Sequence, residues 1–128
     1  MFNQIVDGIH ININLEPGVY VFGDLSSTGK TYLCKLLKKL RTFGYPVDGY
    51  TYDDYLRKIS LKQLVGEIDG KIQYLLIDRY DMYKNEFLDY IEELSKYCVV
   101  MIDSKEDIDI DFEPADIILR KPNLIEVV

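Results

Sequence analysis

The chain of 128 residues reads as one domain, 1–128, since a chain this long buries roughly two thirds of the surface its unfolded form exposes and so supports a single core. Fifteen Lys and Arg against 22 Asp and Glu leave a net charge of −7, which argues against nucleic-acid contact driven by bulk charge but not against a local site for one small anion. Two cysteines, Cys34 and Cys98, and one histidine, His10, supply no zinc set, disulfide framework or Ser-His-Asp triad. With no signal-like start and no apolar run near ~20 residues, the expected setting is cytoplasmic and away from membranes.

Ile9, Ile11, Ile13 and Leu15 alternate with His10, Asn12 and Asn14, the period of a half-buried strand. Glu16-Pro17-Gly18 is turn chemistry, so this strand is expected to feed the next through a hairpin-like reversal. Val19-Tyr20-Val21-Phe22 is a continuous apolar run, as for a strand covered on both faces. After a Gly/Ser/Thr loop, Leu33, Leu36, Leu37 and Leu40 recur at helical spacing, predicting a helix from Lys30 to about Phe43 that Gly44 and Pro46 end. Lys35, Lys38, Lys39 and Arg41 fall off that stripe and read as a solvated face.

Val47–Tyr52 reads as a short strand interrupted by Asp48-Gly49, with Asp53 capping a brief helix and Ser60-Leu61-Lys62-Gln63 forming a capping box before another. Asp69-Gly70 turns the chain into a strand ending at Asp78. Phe87, Leu88, Ile91 and Leu94 mark an amphipathic helix, and Cys98–Ile102 a buried strand ending at Asp103. Asp107–Glu113 is an acidic loop or edge strand, and Ala115–Arg120 with Leu124–Val128 closes as a hairpin around Lys121-Pro122-Asn123. Strands alternating with helices predict an α/β sheet, largely parallel, with antiparallel strands added at both ends. The eleven tyrosines, with Tyr50, Tyr52 and Tyr55 grouped around Asp53 and Asp54, read first as partly buried aromatics and second as a stacking wall. Both cysteines read as small buried apolar residues.

The stretch that carries chemistry is Gly23-Asp24-Leu25-Ser26-Ser27-Thr28-Gly29-Lys30-Thr31. It follows a buried strand and opens a helix, where backbone N–H groups and the helix terminus favour phosphate; the plain alternative is a Gly/Ser turn. Here the chain resembles the P-loop nucleoside triphosphatases, whose pattern is Gly-x-x-x-x-Gly-Lys-[Ser/Thr]. The resemblance implies a three-layer α/β/α domain that binds a nucleoside triphosphate, ATP or another, with Mg²⁺. Ser26, Ser27, Thr28, Gly29, Lys30, Thr31 and Tyr32 would hold the nucleotide, and Thr31 would hold the cation. Asp24 departs from the pattern, standing where the first glycine is expected, with Gly23 one residue too early.

Tyr74-Leu75-Leu76-Ile77-Asp78 resembles the Walker B element of the same superfamily, which makes Asp78 the second cation residue. ATPases of the AAA and ABC kind place a glutamate directly after that aspartate. Here the position is Arg79, which cannot act as a base. Asp81 is the available substitute, so the expected catalytic group is Lys30, Asp78 and Asp81, with helix capping the plain role for Asp81. Asp103 and Ser104 end the next strand where those families keep a polar sensor residue.

The first expectation is therefore a small or degenerate AAA/ABC-like core that binds Mg-ATP and hydrolyses it slowly or only with a partner, either a second copy or a larger protein. No Leu-Ser-Gly-Gly-Gln segment, helical lid or Asn-Lys-x-Asp element narrows the subfamily. A second reading rests on Asp78-Arg79-Tyr80, which looks like the Asp-Arg-[Tyr/His/Phe] element of thymidylate-type kinases; the plain role of Arg79 is an ion pair with Asp81 or Glu86. A third is a non-catalytic interaction module, for which Asp24 and Arg79 speak.

Overall fold

The structure, a computed structural model, describes residues 1–23, 29–66, 72–83, 87–120 and 122–128. Its first half runs β1 (Phe2–Val6), β2 (Ile9–Ile13), β3 (Gly18–Phe22), α1 (Lys30–Thr42), β4 (Val47–Tyr50), α2 (Tyr52–Leu56) and α3 (Leu61–Gly66). Its second half runs β5 (Tyr74–Ile77), a 3₁₀ turn (Tyr80–Tyr83), α4 (Leu88–Leu94), β6 (Val99–Ile102), β7 (Glu113–Ala115), β8 (Ile117–Arg120) and β9 (Leu124–Val127).

Five of the strands form one sheet in the order β4-β5-β6-β3-β7, every pair parallel. Its side chains alternate cleanly. Tyr20, Phe22, Tyr74, Leu76, Val99 and Met101 join the leucines of α1 in one core. Val19, Leu75, Ile77, Val100 and Ile102 join Leu61, Leu64, Val65, Ile91 and Leu94 of α3 and α4 in the other. Right-handed crossovers explain the split. The step from β3 to β4 runs toward one edge of the sheet, whereas the later steps β4-β5-β6-β7 run back toward the other edge. The connecting elements must then lie on opposite faces. At the carboxyl ends of β3 and β6 the strand order therefore reverses direction, the topological position where open α/β sheets bind ligands.

The remaining strands do not extend this sheet. They form a separate four-stranded sheet in the order β1-β2-β9-β8, with β1/β2 and β8/β9 antiparallel and β2/β9 parallel. This corrects two expectations. The alternating strand at Ile9 turns back on β1 rather than pairing with β3. The antiparallel strands pack as part of an outer layer beside α1, through Phe2, Val6, Ile11, Ile13, Ile125 and Val127. The domain is layered, but one outer layer is a helix plus a small sheet.

Local signals account for most element ends. Ser60 and Gln63 form the expected reciprocal cap, with bonds of 2.9 and 3.0 Å. The cap of α2 is Thr51 rather than Asp53: its hydroxyl accepts the Asp54 N–H at 3.2 Å while the Asp54 carboxylate accepts the Thr51 N–H at 2.9 Å. Asp48-Gly49 does not interrupt a strand but lies inside β4. A Cβ on Gly49 would stand 2.4 Å from the Cys34 sulfur and 2.8 Å from the Cys34 carbonyl oxygen, so only glycine lets α1 pack this closely.

The cations of α1 are not all solvated either. Arg41 reaches buried Asp48 and also donates to the Leu64 carbonyl at 3.1 Å. Lys38 bonds the Asp54 carboxylate at 2.8 Å and the Gly49 carbonyl at 3.0 Å. Among the described residues no helix is long and apolar enough to cross a membrane. The Asp69-Gly70 turn lies outside those residues.

Candidate functional site

Among the described residues, three buried charged residues, Lys30, Asp78 and Asp103, meet where the carboxyl ends of β5 and β6 face the start of α1. Gly29 precedes α1 at φ 97°, a left-handed conformation that favours glycine, and it has no side chain to cap the N–H groups of the first turn. No acid lies in that turn. Its first-turn N–H groups, with no side-chain cap, and the positive end of a 13-residue helix make the position favourable to an anion. Ser26, Ser27 and Thr28, together with Asp24, lie outside the described residues.

Lys30 is buried, and its Nζ lies 3.0 Å from Asp103 Oδ1. The Thr31 hydroxyl lies 3.3 and 3.2 Å from the two oxygens of the Asp78 carboxylate. Sheet register explains why the two acids meet. Ile77 of β5 pairs with Ile102 of β6, so the aspartates that follow these strands emerge side by side. Their exits are tied together by backbone bonds, Asp103 N–H to the Ile77 carbonyl at 2.9 Å and Tyr80 N–H to the Asp103 carbonyl at 2.6 Å.

The result is an unbalanced charge set. Asp78 and Asp103 are both buried, and they follow paired residues of neighbouring strands. Burial, then the hydrogen bond and charge of Asp103, push the Asp78 carboxyl up to about 6, against the opposing pull of Thr31 and Arg79. Asp103 also accepts the Arg79 N–H at 3.3 Å. Tyr83 donates to the Asp78 carbonyl at 2.8 Å and fixes the chain just past β5.

The oxygen donors suit a hard divalent cation. Mg²⁺ takes one or two carboxylates and completes its shell with water and phosphate oxygens, and Asp78 with Thr31 offers that kind of partial set. Among the described residues no group of three or more His, Cys, Asp or Glu forms a full protein cage.

Of the residues singled out in the sequence, Lys30, Thr31 and Asp78 come together here, with Gly29 at the helix entrance. Asp103, read there as a sensor position, is the direct partner of Lys30. The signal for it was present as two apolar runs each closing on Ile-Asp, at 77–78 and 102–103. Ser104 turns away, donating to the Glu106 carbonyl at 2.7 Å. Asp81 sits on the 3₁₀ turn, where its carboxylate meets the Lys105 N–H at 3.4 Å and the Arg79 guanidinium at 3.7 Å. These are not the contacts of a residue aimed at Lys30. Arg79 makes the expected pair with Asp81 from a left-handed backbone, φ 52°, and its buried Nε has no hydrogen-bond partner among the described residues; Glu86 lies outside the described residues. Tyr32 is 48% exposed on the first turn of α1.

The tyrosine group is largely internal. Tyr83 packs its ring against Tyr50 at 5.4 Å, Tyr55 at 5.1 Å and Phe87 at 6.2 Å. Beside it, Tyr50, Tyr55, Lys58 and Phe87 line a cleft of about 400 Å³. Cys34 and Cys98 are fully buried, and burial pushes the Cys98 thiol up to about 12, as for inert apolar residues. Comparison with family models, with curated proteins and with solved structures returned no match.

Proposed function

We propose that the chain binds a nucleoside triphosphate, Mg-ATP or another, at the carboxyl ends of β3 and β6, and hydrolyses it slowly or only with a partner. The observation that carries this reading is the buried Lys30, placed directly after left-handed Gly29 at a helix N-terminus and paired with strand-end Asp103, with Thr31 on the neighbouring strand-end Asp78. A strand–loop–helix followed by a reversal of strand order supports a P-loop-like domain.

In this reading the polyphosphate lies on the first-turn N–H groups of α1, and Lys30 exchanges Asp103 for a phosphate oxygen. Thr31 and Asp78 hold the Mg²⁺. When bound, that ion screens the phosphate charge and the repulsion between Asp78 and Asp103. Arg79, always protonated, cannot take a proton from an attacking water. Slow turnover follows, unless a second copy or a larger protein supplies the missing group.

The test is a calorimetric titration of Mg-ATP into wild type, Lys30→Ala and Thr31→Val, with thermal melts to confirm that each variant is folded. The expected result is saturable binding, lost in Lys30→Ala and weakened in Thr31→Val. No binding by wild type at millimolar nucleotide would overturn the reading. Rapid phosphate release by the protein alone, absent in Lys30→Ala, would contradict the slow part.

A second reading, transfer of the γ-phosphoryl to a small acceptor, is favoured by one feature. The Arg79 side chain directly follows Asp78 and is 42% exposed, so part of its planar guanidinium is open to a transferred phosphate. ADP production on adding nucleoside monophosphates would favour it over hydrolysis, and silence across the panel would count against it.

A further inference from the structure

Strand β8 runs beside both ends of the phosphate-loop segment. Asp116 Oδ1, at its start, lies 3.9 Å from where a Cβ on Gly23 would stand. Further along, Leu119 Cδ2 lies 3.4 Å from the corresponding point at Gly29, and Ile117 Cγ2 lies 3.9 Å from it. The small sheet is therefore seated against the entrance of α1, not only against its leucine stripe.

Leu119 is the anomaly of that strand. Alternation puts it on the same face as Ile117, and its cross-strand partner is Ile125, as Val127 is that of Ile117. Ile117, Ile125 and Val127 are 9%, 3% and 0% exposed, whereas Leu119 is 52% exposed. An apolar side chain on the core-facing side of the sheet thus projects past the end of the core, over Gly29. Tyr32, on the first turn of α1 and three residues after Gly29, is exposed to a similar degree, 48%. The entrance of α1 thus carries two exposed apolar side chains, Leu119 against Gly29 and Tyr32 on the first turn, and an apolar shelf there would be built from them.

We infer that the base of the bound nucleotide lies on this shelf, stacked against Tyr32 and covering Leu119. The inference rests on the proposed triphosphate site and extends it to the nucleoside. A shelf made of one ring and one aliphatic side chain offers a face and no pattern of donors and acceptors. Every base has such a face, so the site takes nucleoside triphosphates with little regard to the base.

The test compares Mg-ATP with Mg-tripolyphosphate, which has the phosphates and no nucleoside, by calorimetry on wild type, Tyr32→Ala, Leu119→Ala and the double variant. ATP is expected to bind about ten-fold more tightly than tripolyphosphate to wild type. The double variant is expected to lose that advantage while holding tripolyphosphate unchanged, which also shows that it is folded. GTP and CTP are expected within about three-fold of ATP. Equal affinity of ATP and tripolyphosphate for wild type would overturn the shelf and leave the phosphate site standing. So would variants that bind ATP normally, or one base preferred by more than about thirty-fold. If neither ligand binds, the triphosphate reading fails and the shelf falls with it.

Discussion

The two ends of α1 both send a cation to a buried acid, and they do so on different terms. Near the carboxyl end Arg41 meets Asp48, whose carboxylate also takes the Gly49 N–H at 2.7 Å, and Lys38 meets Asp54 inside a closed cap. At the amino end Lys30 meets Asp103, but Asp78 lies alongside as a second acid. Burial raises both Asp48 and Asp78. Every charged neighbour that acts on Asp48 pulls it back down, whereas Asp103 pushes Asp78 further up. The carboxyl end is satisfied internally, as a structural network must be. At the amino end two neighbouring buried acids oppose one another, an imbalance that the proposed nucleotide site would draw on.

The largest effect is expected where the structural end is opened. Arg41→Met leaves Asp48, 4% exposed at its side chain, without its ion-pair partner and removes the donor to the Leu64 carbonyl. The expected loss is about 3 kcal/mol, read as a lower urea midpoint with an unchanged slope. A loss below about 0.5 kcal/mol, the level of an exposed pair, would show that the two ends are not different in kind.

The end proposed to bind nucleotide should respond in the opposite direction. Asp78→Asn keeps an acceptor for Thr31 and removes one of two adjacent negative charges. At pH 7 the ligand-free protein is expected to gain on the order of 1 kcal/mol, the pattern of a residue kept for binding at some cost to stability. In the same variant Mg-ATP should lose most of its stabilising effect in a thermal melt. A variant that is both less stable and fully competent for nucleotide would assign Asp78 a structural role.

How much of this was legible depends on how local the signal was. The leucine spacing of α1, the Ser60–Gln63 cap and the strands closing on Asp78 and Asp103 could be read from neighbouring residues, because period and capping are short-range properties. Pairing could not. The alternation around Ile11 is the same whether the partner is β3 or β1 and β9, and β9 lies more than a hundred residues away. Asp48-Gly49 looked like a break because a buried acid and a glycine both disfavour a strand. What makes a strand possible there is Arg41 and the backbone at Cys34, both supplied by α1. For the site, Lys30, Thr31 and Asp78 were readable from motif spacing, while the pairing of Lys30 with Asp103 depends on β6 lying next to β3. Leu119 carried no signal, since its meaning lies in what fails to cover it.

A smaller effect tests the structural end by pH. Burial raises Asp54, but Lys38 and the Thr51 N–H and hydroxyl outweigh it and hold the carboxyl below its ordinary value. Its folded pKa is thus below its unfolded one, so the unfolded chain binds more protons in the window between them. The contribution is complete above about pH 4 and is lost as the pH falls through the folded value. Asp54→Asn should flatten this part of the acid limb of a stability–pH curve and leave its shape above about pH 5 unchanged. An unaltered acid limb would remove Asp54 from the network.

The smallest expected effect belongs to a further cation of α1, Lys39. Lys39 lies 2.6 Å from Asp7 in the β1–β2 turn, closer than Lys30 lies to Asp103. If proximity decided the strength of an ion pair, Lys39→Ala would be the more costly change. Both Lys39 and Asp7 are about half exposed, at 47% and 50% of their side chains. Water there screens the attraction and solvates either charge left alone, and holding two long side chains together costs entropy. Lys39→Ala should therefore move stability by no more than about 0.5 kcal/mol, with less change still at high salt. A loss comparable to that of Arg41→Met would mean that burial is not what separates the structural pairs on α1 from the ornamental one.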